Sequence, residues 1–211
     1  MFTGIVSAVG QITAVQPLEA DNPDAGLRLR IDVSGTDFDL QRCQLGDSIA
    51  LQGACMTAVA FHDDFQAFSI DISRESLNKT VGLDQEGAVN LEHAMRLGDT
   101  LDGHMVLGHV DGVGEVSVFT PVGESYELRI VAPVELAKYL AYKGSVTVNG
   151  VSLTVNEVVD LPAEAGCEIS INLIPHTVEV TTLKYLEAGS KVNLEVDAIA
   201  RYVERMMGLQ K

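Results

Sequence analysis

The chain has 211 residues, 46% of them hydrophobic and 21% charged, with a formal net charge of −16. So acidic a surface repels a phosphate backbone, and Lys and Arg form no basic stripe, which excludes nucleic acid and an anionic membrane as expected partners. No stretch approaches the ~20 apolar residues of a membrane-spanning helix. The opening MFTGIVSAVGQI lacks the basic region of a secretory signal, and Cys43, Cys55 and Cys167 are far apart with no C-x-x-C pair. These features predict a cytoplasmic protein with neither a disulfide framework nor a structural zinc site.

In chain order, period-two alternation predicts strands at LRLRIDV (27–33), QAFSIDI (66–72), YELRIVA (126–132), GSVTVNGVSLTVNEV (144–158) and CEISINL (167–173). Turn formers break the pattern at 19–26, 121–125 and 161–166. Three segments read as helical. SRESLNKT (73–80) suits a short turn of helix. APVELAKYLA (132–141) places Val134, Ala137, Leu140 and Ala141 on one face, with Pro133 in the first turn. DAIARYVERMMGLQK (197–211) carries an apolar stripe of Ile199, Tyr202, Val203 and Met206, with Asp197 as cap and Lys211 suited to the end. That helix has no partner within either repeat described next, which favours a subunit contact over packing on its own barrel.

The strands are written twice. LQGACMTAVAF (51–61) aligns without a gap on VNGVSLTVNEV (148–158), with Gly53 on Gly150, Thr57 on Thr154 and Cys55 opposite Ser152. GIVSAVGQI (4–12) lies over GHVDGVGEV (108–116), FSIDISRESLNKT (68–80) over ISINLIPHTVEVT (169–181), and AVNLE (88–92) over KVNLE (191–195). Four segments thus recur in one order at a spacing of roughly 100 residues, too long for a solenoid repeat, so each copy should own a core. Many short strands with such turns suggest a sandwich or small barrel. Gly53 and Gly150, inside strand-like runs, favour tight curvature or a ligand close to the backbone.

Familiar catalytic signatures are absent: no G-x-G-x-x-G after a strand, no Walker A loop, no H-E-x-x-H. Thr154 stands where a nucleophile elbow requires Gly. His104 and His109 are five apart, on opposite faces of a strand, which disfavours joint metal ligation; each alone reads as a hydrogen-bonded turn histidine. His176, after Pro175, sits in a strand-end turn where a side chain could face a ligand. Cys55, between Ala54 and Met56, reads as a buried inert thiol, or else as a pocket thiol served by a His or Asp from elsewhere. Ser152 and Thr154 share one strand face, as do Cys55 and Thr57.

MFTGIV, GHMVLGHVDGVG, YKGSVTVNGVSLTVNEV, INLIPHTVEVTTL and VNLEVDAIARYVERM together resemble riboflavin synthase, the alpha chain family of duplicated lumazine-binding barrels, from Met1 to about Met207. The resemblance implies an all-β fold of two tandem six-stranded antiparallel Greek-key barrels plus a C-terminal helix, divided as 1–96, 97–197 and 198–211. It implies a homotrimer held by those helices and admits an association with lumazine synthase. The implied reaction is a transferase dismutation of two 6,7-dimethyl-8-ribityllumazine molecules to riboflavin and 5-amino-6-(ribitylamino)uracil, with no cofactor and no metal. Each active site would lie between the first barrel of one subunit and the second barrel of a neighbour.

Carried over by motif, one pocket comprises Gly4, Ile5, Val6, Cys55, Met56, Thr57, Asp71, Ile72, Ser73, Arg74, Glu75 and Ser76. The other comprises Gly108, His109, Val110, Lys143, Ser152, Leu153, Thr154, Ile174, Pro175, His176, Thr177, Val178 and Glu179. Cys55, His109, Ser152, Thr154 and Asp197 are the residues expected to carry chemistry. His109, or Ser152 with Thr154, would assist loss of a methyl proton; Cys55 or Asp197 would help nucleophile addition at C7 of the acceptor. Gln52, Met56 and Ala58 depart from the family's Asn-Gly-x-Cys-Leu-Thr-Val and put the fit of the first half-site in question. A non-catalytic lumazine- or flavin-binding relative on the same barrels is the alternative, disfavoured because GHV, GVSLTV and IPHT are kept in the second half. A structural adaptor without a pocket is the third class.

Overall fold

The computed structural model describes residues 1–22, 24–162 and 165–208. Among them, strands β1 (Ala8–Pro17), β2 (Leu27–Asp32), β3 (Ser48–Leu51), β4 (Ala54–His62), β5 (Ala67–Ile72) and β6 (Gly87–His93) close into a first barrel in the order β1-β2-β5-β4-β3-β6. Strands β7 (Gly112–Val122), β8 (Ser125–Ala132), β9 (Ser145–Val148), β10 (Val151–Asp160), β11 (Cys167–Leu173) and β12 (Lys191–Val196) close a second with the same connectivity. Every pairing is antiparallel.

The duplication extends to irregularities. The β1–β2 ladder slips between Ile12 and Ala14, and β7–β8 slips at the equivalent Val116 and Val118. A second slip, Ala58/Ala60 in β4, recurs at Val155/Glu157 in β10. An extra residue bends its strand, which short strands need in order to close a small barrel. The alternating residues fill two separate cores, Ile12, Leu29, Phe68, Ile70 and Leu91 in one and Val116, Leu128, Ile169, Ile171 and Leu194 in the other.

Three local expectations change. The run 144–158 is a hairpin, not one strand: Val148 pairs with Val151 across Asn149 (φ 51) and Gly150 (φ 82). Asn-Gly supplies the two left-handed residues that such a turn requires, and Gln52 (φ 49) with Gly53 (φ 88) does the same in the first copy. The helix expected over 132–141 shrinks to α2 (Val134–Ala137), because the chain turns so that Leu136 and Leu140 enter the second core while Val134 stays exposed. The turn expected at Pro175 is a short helix, α3 (Pro175–Glu179), with Pro in its first turn, as the fixed proline φ favours. It matches α1 (Arg74–Lys79), whose cap Ser73 accepts from Ser76 N at 3.1 Å. Helix α4 (Ala198–Gly208) follows β12. Lys211, expected to suit its end, and residues 163–164 within the turn at 161–166 lie outside the described residues.

The barrels meet back to back. A Cβ on Gly53 would lie 2.7 Å from the Gly150 nitrogen, so the close backbone approach inferred from these glycines is to each other rather than to a ligand. Around them runs a polar seam in matched halves. Asn90 donates to Asn149 O (2.9 Å) and Asn193 to Gln52 O (3.0 Å). Asn90 N donates to the Gln52 side chain, as Asn193 N does to that of Asn149, each at 2.8 Å. Asn90 Oδ1 accepts from Thr182 N, and Asn193 Oδ1 from Val81 N. β6 and β12 are therefore buried on both faces, with their apolar residues toward their own barrel, Asn90 and Asn193 toward the other copy, and Glu92 and Glu195 against the leading segment of their own copy. Among the described residues, no helix is long and apolar enough to cross a membrane.

Candidate active site

Each barrel receives the leading segment of the other. The Gly4 carbonyl accepts from Ser152 N at 2.8 Å, and the Gly108 carbonyl accepts from Cys55 N at 2.8 Å. Val6 packs against the second core and Val110 against the first. The segments touch where Phe2 and Val106 exchange backbone hydrogen bonds of 2.7 and 3.1 Å. The sequence grouped Gly4, Ile5 and Val6 with Cys55, and Gly108, His109 and Val110 with Ser152; within the chain the backbone contacts run the other way, Gly4 to Ser152 and Gly108 to Cys55. The reason is the back-to-back seam, which sets each barrel's leading segment beside its neighbour's fourth strand. Gly4 (φ 78) and Gly108 (φ 76) sit so close that an added Cβ would approach the Cβ of Ser152 to 2.6 Å and that of Cys55 to 2.7 Å.

The half-site on the first barrel is a pocket of about 250 Å³ lined by Cys55, Met56, Glu75, Ser76, Gly108 and His109, among others. That is below the ~300–1,000 Å³ of a complete small-molecule site. Cys55 is partly exposed, unlike the buried Cys43 and Cys167. His109 is exposed at the rim, its N–H donating to Glu195 (2.9 Å) and its carbonyl accepting from Arg201 of α4 (3.2 Å). On the second barrel, at the position matching Cys55, the Ser152 Oγ shares a hydrogen bond of 2.7 Å with His104 Nδ1. Burial pushes the His104 imidazole below its ordinary value, and the charge of Asp197 partly offsets this. A neutral imidazole against a serine hydroxyl can take or return a proton near neutral pH. Asp197 Oδ1 also accepts from Ile199 N at 2.9 Å, the helix-cap role read from sequence.

The remaining expected residues fall into two groups. Thr57 and Thr154 are exposed on the outer strand faces beside Cys55 and Ser152. Ser73, Glu75, Ile174, Pro175, His176 and Glu179 are exposed in and beside α1 and α3, with Arg74, Ser76 and Thr177 half-buried among them. Ile72, Leu153 and Val178 join the barrel cores instead, and Met56 joins the first core while also bordering the Cys55 pocket. Asp71 is paired with Arg28 through contacts of 2.7 and 2.8 Å, which hold its carboxyl below the usual range. Lys143 donates to Asn156 at 2.8 Å. The departures at Gln52, Met56 and Ala58 acquire a physical meaning: Gln52 serves the inter-barrel seam, Ala58 packs inward, and Met56 joins the core while bordering the Cys55 pocket.

From sequence, His104 reads only as a hydrogen-bonded turn histidine, outside the expected site residues. Sequence reasoning passed over Glu92 and Glu195, although AVNLE and KVNLE display a carboxylate ending each apolar strand.

The fold defines a duplicated β-barrel protein in which each barrel meets the leading segment of the other, beside a thiol on one and a Ser–His hydrogen bond on the other. The family model for the lumazine binding domain matches twice, at residues 3–94 and 107–197. Riboflavin synthase of Photobacterium phosphoreum is 41% identical over all of this chain and 91% of its own length. That of Brucella abortus (strain 2308) is 39% identical over the whole of both chains. The solved structure of LumP complexed with riboflavin superposes with a TM-score of 0.75 at 27% identity, over 93% of this chain and 99% of that one. LumP complexed with 6,7-dimethyl-8-(1'-D-ribityl) lumazine gives a TM-score of 0.74 at 25% identity, with the same coverage. The chain belongs to the riboflavin synthase family of tandem lumazine-binding barrels.

Proposed function

We propose that this protein catalyses the dismutation of two 6,7-dimethyl-8-ribityllumazine molecules, one giving a four-carbon unit to the other, to form riboflavin and 5-amino-6-(ribitylamino)uracil. The observation that carries this reading is the pair of crossed half-sites, alike in backbone and unlike in chemistry. Two identical substrates with unequal roles need that combination. Holding two rings in register can supply up to ~7–11 kcal/mol of the barrier in ideal cases, and positioned acid–base groups add about 10²–10⁴-fold.

On this reading the Ser152–His104 pair, with Asp197 and Thr154 nearby, handles the proton lost from the 7-methyl of one lumazine. That methyl is acidic because its carbanion delocalises into the ring. Cys55 and His109 face the other ring. Because the Cys55 pocket is small for a complete site, it is completed by the second barrel of another subunit. The exposed stripe Ile199, Tyr202, Val203 and Met206 on α4 supports a homotrimer closed through that helix. The chain then divides at residues 96 and 197, and the cytoplasm is its compartment.

Incubating the purified protein with the lumazine and recording riboflavin fluorescence tests the reading. Turnover without added metal or cofactor is the expected result. Saturable binding without turnover would instead assign the chain the LumP-like role of a ligand carrier. The relatives at about 40% identity, all riboflavin synthases, favour turnover.

A further inference from the structure

We propose that Glu92 and Glu195 are positioning residues that act crosswise, each carboxylate holding the backbone of its own copy's leading segment so that it completes the half-site on the other barrel. The inference rests on the two-ligand reading above.

Both glutamates grip the leading segment of their own copy with their two carboxylate oxygens, though the donors differ in part between the copies. Glu92, on β6, accepts from Thr3 N (2.6 Å), Thr3 Oγ1 (2.8 Å) and Gly4 N (3.0 Å). Glu195, on β12, accepts from Leu107 N (2.8 Å) and His109 N (2.9 Å). Their residues are 6% and 2% exposed. A carboxylate so deeply buried is costly unless its oxygens are satisfied, and here the satisfying groups are the Thr3 amide and hydroxyl with the Gly4 amide for Glu92, and the amides on either side of Gly108 for Glu195. The same two glycines offer their carbonyls to Ser152 N and Cys55 N. Each segment is thus gripped on one side by a carboxylate of its own copy and laid on the other against the reactive side chain of its neighbour. A glycine with positive φ has no side chain to fix it, so the carboxylate supplies the rigidity a half-site needs.

The two grips are not identical: Glu92 also takes the Thr3 hydroxyl, which Leu107 cannot supply to Glu195. Arg201 of α4 forms a two-pronged pair with Asp111 and reaches His109 O, so the Cys55 half-site is also tied to the terminal helix. Neither glutamate lines the Cys55 pocket or contacts the Ser152–His104 pair directly. Both act through the segments they hold.

Hydrogen–deuterium exchange on the intact protein tests this, with peptides covering 53–57 and 150–154. Glu195→Gln should speed exchange at the Cys55 amide by roughly 10- to 100-fold, the loss expected for a charged acceptor, and leave the Ser152 amide unchanged. Glu92→Gln should do the reverse. Alkylation of Cys55 by iodoacetamide should accelerate in Glu195→Gln alone, with Cys43 and Cys167 still protected. Glu195→Asp, which keeps the charge but withdraws it by one methylene, should give the same crossed pattern at smaller amplitude. An uncrossed pattern, no change at either amide, or all three thiols rising together overturns the proposal. Exchange and alkylation need no turnover, so a protein that fails to make riboflavin sinks the proposed reaction while leaving these outcomes readable.

Discussion

The carbonyl oxygen of Gly108 accepts the backbone N–H of Cys55 at 2.8 Å, so a segment of the second copy forms the wall beside the first copy's thiol. Gly108→Ala would place a methyl 2.7 Å from the Cys55 Cβ at a φ of 76. The strain of a left-handed non-glycine and the displaced segment together should cost about 2–4 kcal/mol. Ligand affinity at the Cys55 half-site, measured by calorimetry with riboflavin, should fall at least tenfold, while the Ser152 half-site is spared. Equal weakening of both would refute the crossed arrangement.

The Ser152–His104 pair should behave as a unit. Ser152→Ala and His104→Gln are each expected to lower kcat by about 10²–10⁴-fold, and the double variant should be little worse than either single one. Multiplicative losses would mean that the two side chains work independently.

Titration of His104 has a definite sign. Burial holds its imidazole below the ordinary value, so folding opposes its protonation. Its contribution to stability is therefore complete above the unfolded value of about 6.5 and is lost as the pH falls below it. NMR titration should place its midpoint below 6.5, and Asp197→Asn should move that midpoint lower still by removing the charge that raises it. A midpoint above 6.5 contradicts the burial argument.

The seam between barrels is a stability element. Asn90→Ala leaves Asn149 O and Thr182 N without their partner, each worth about 1–3 kcal/mol when buried. The denaturation midpoint should drop by an amount equivalent to about 2–5 kcal/mol in urea titrations. A change under 1 kcal/mol would show that the seam is satisfied otherwise.

The α4 stripe predicts an oligomer that charge would break. Tyr202→Glu, at a position 71% exposed in the isolated chain, should reduce the mass seen by analytical ultracentrifugation from three chains to one and abolish turnover. A variant that stays assembled and active would place the subunit contact elsewhere.

The amino-acid sequence by itself determined the duplication, the strand character of most segments, the family, and Cys55 opposite Ser152, because period-two burial and repeated spacing are local properties written along the chain. Even the hairpin turn was present as Asn149–Gly150. What only the tertiary structure decided is which copy's residues meet. Backbone contacts such as Gly4 to Ser152 join positions far apart in sequence, and a carbonyl leaves no trace in residue identity. His104 gained its partner in the same way, through a fold that brings residue 104 to residue 152. Gln52, read as a mark of altered ligand fit, turned out to face the other barrel, since a strand end shows its pattern but not what covers it.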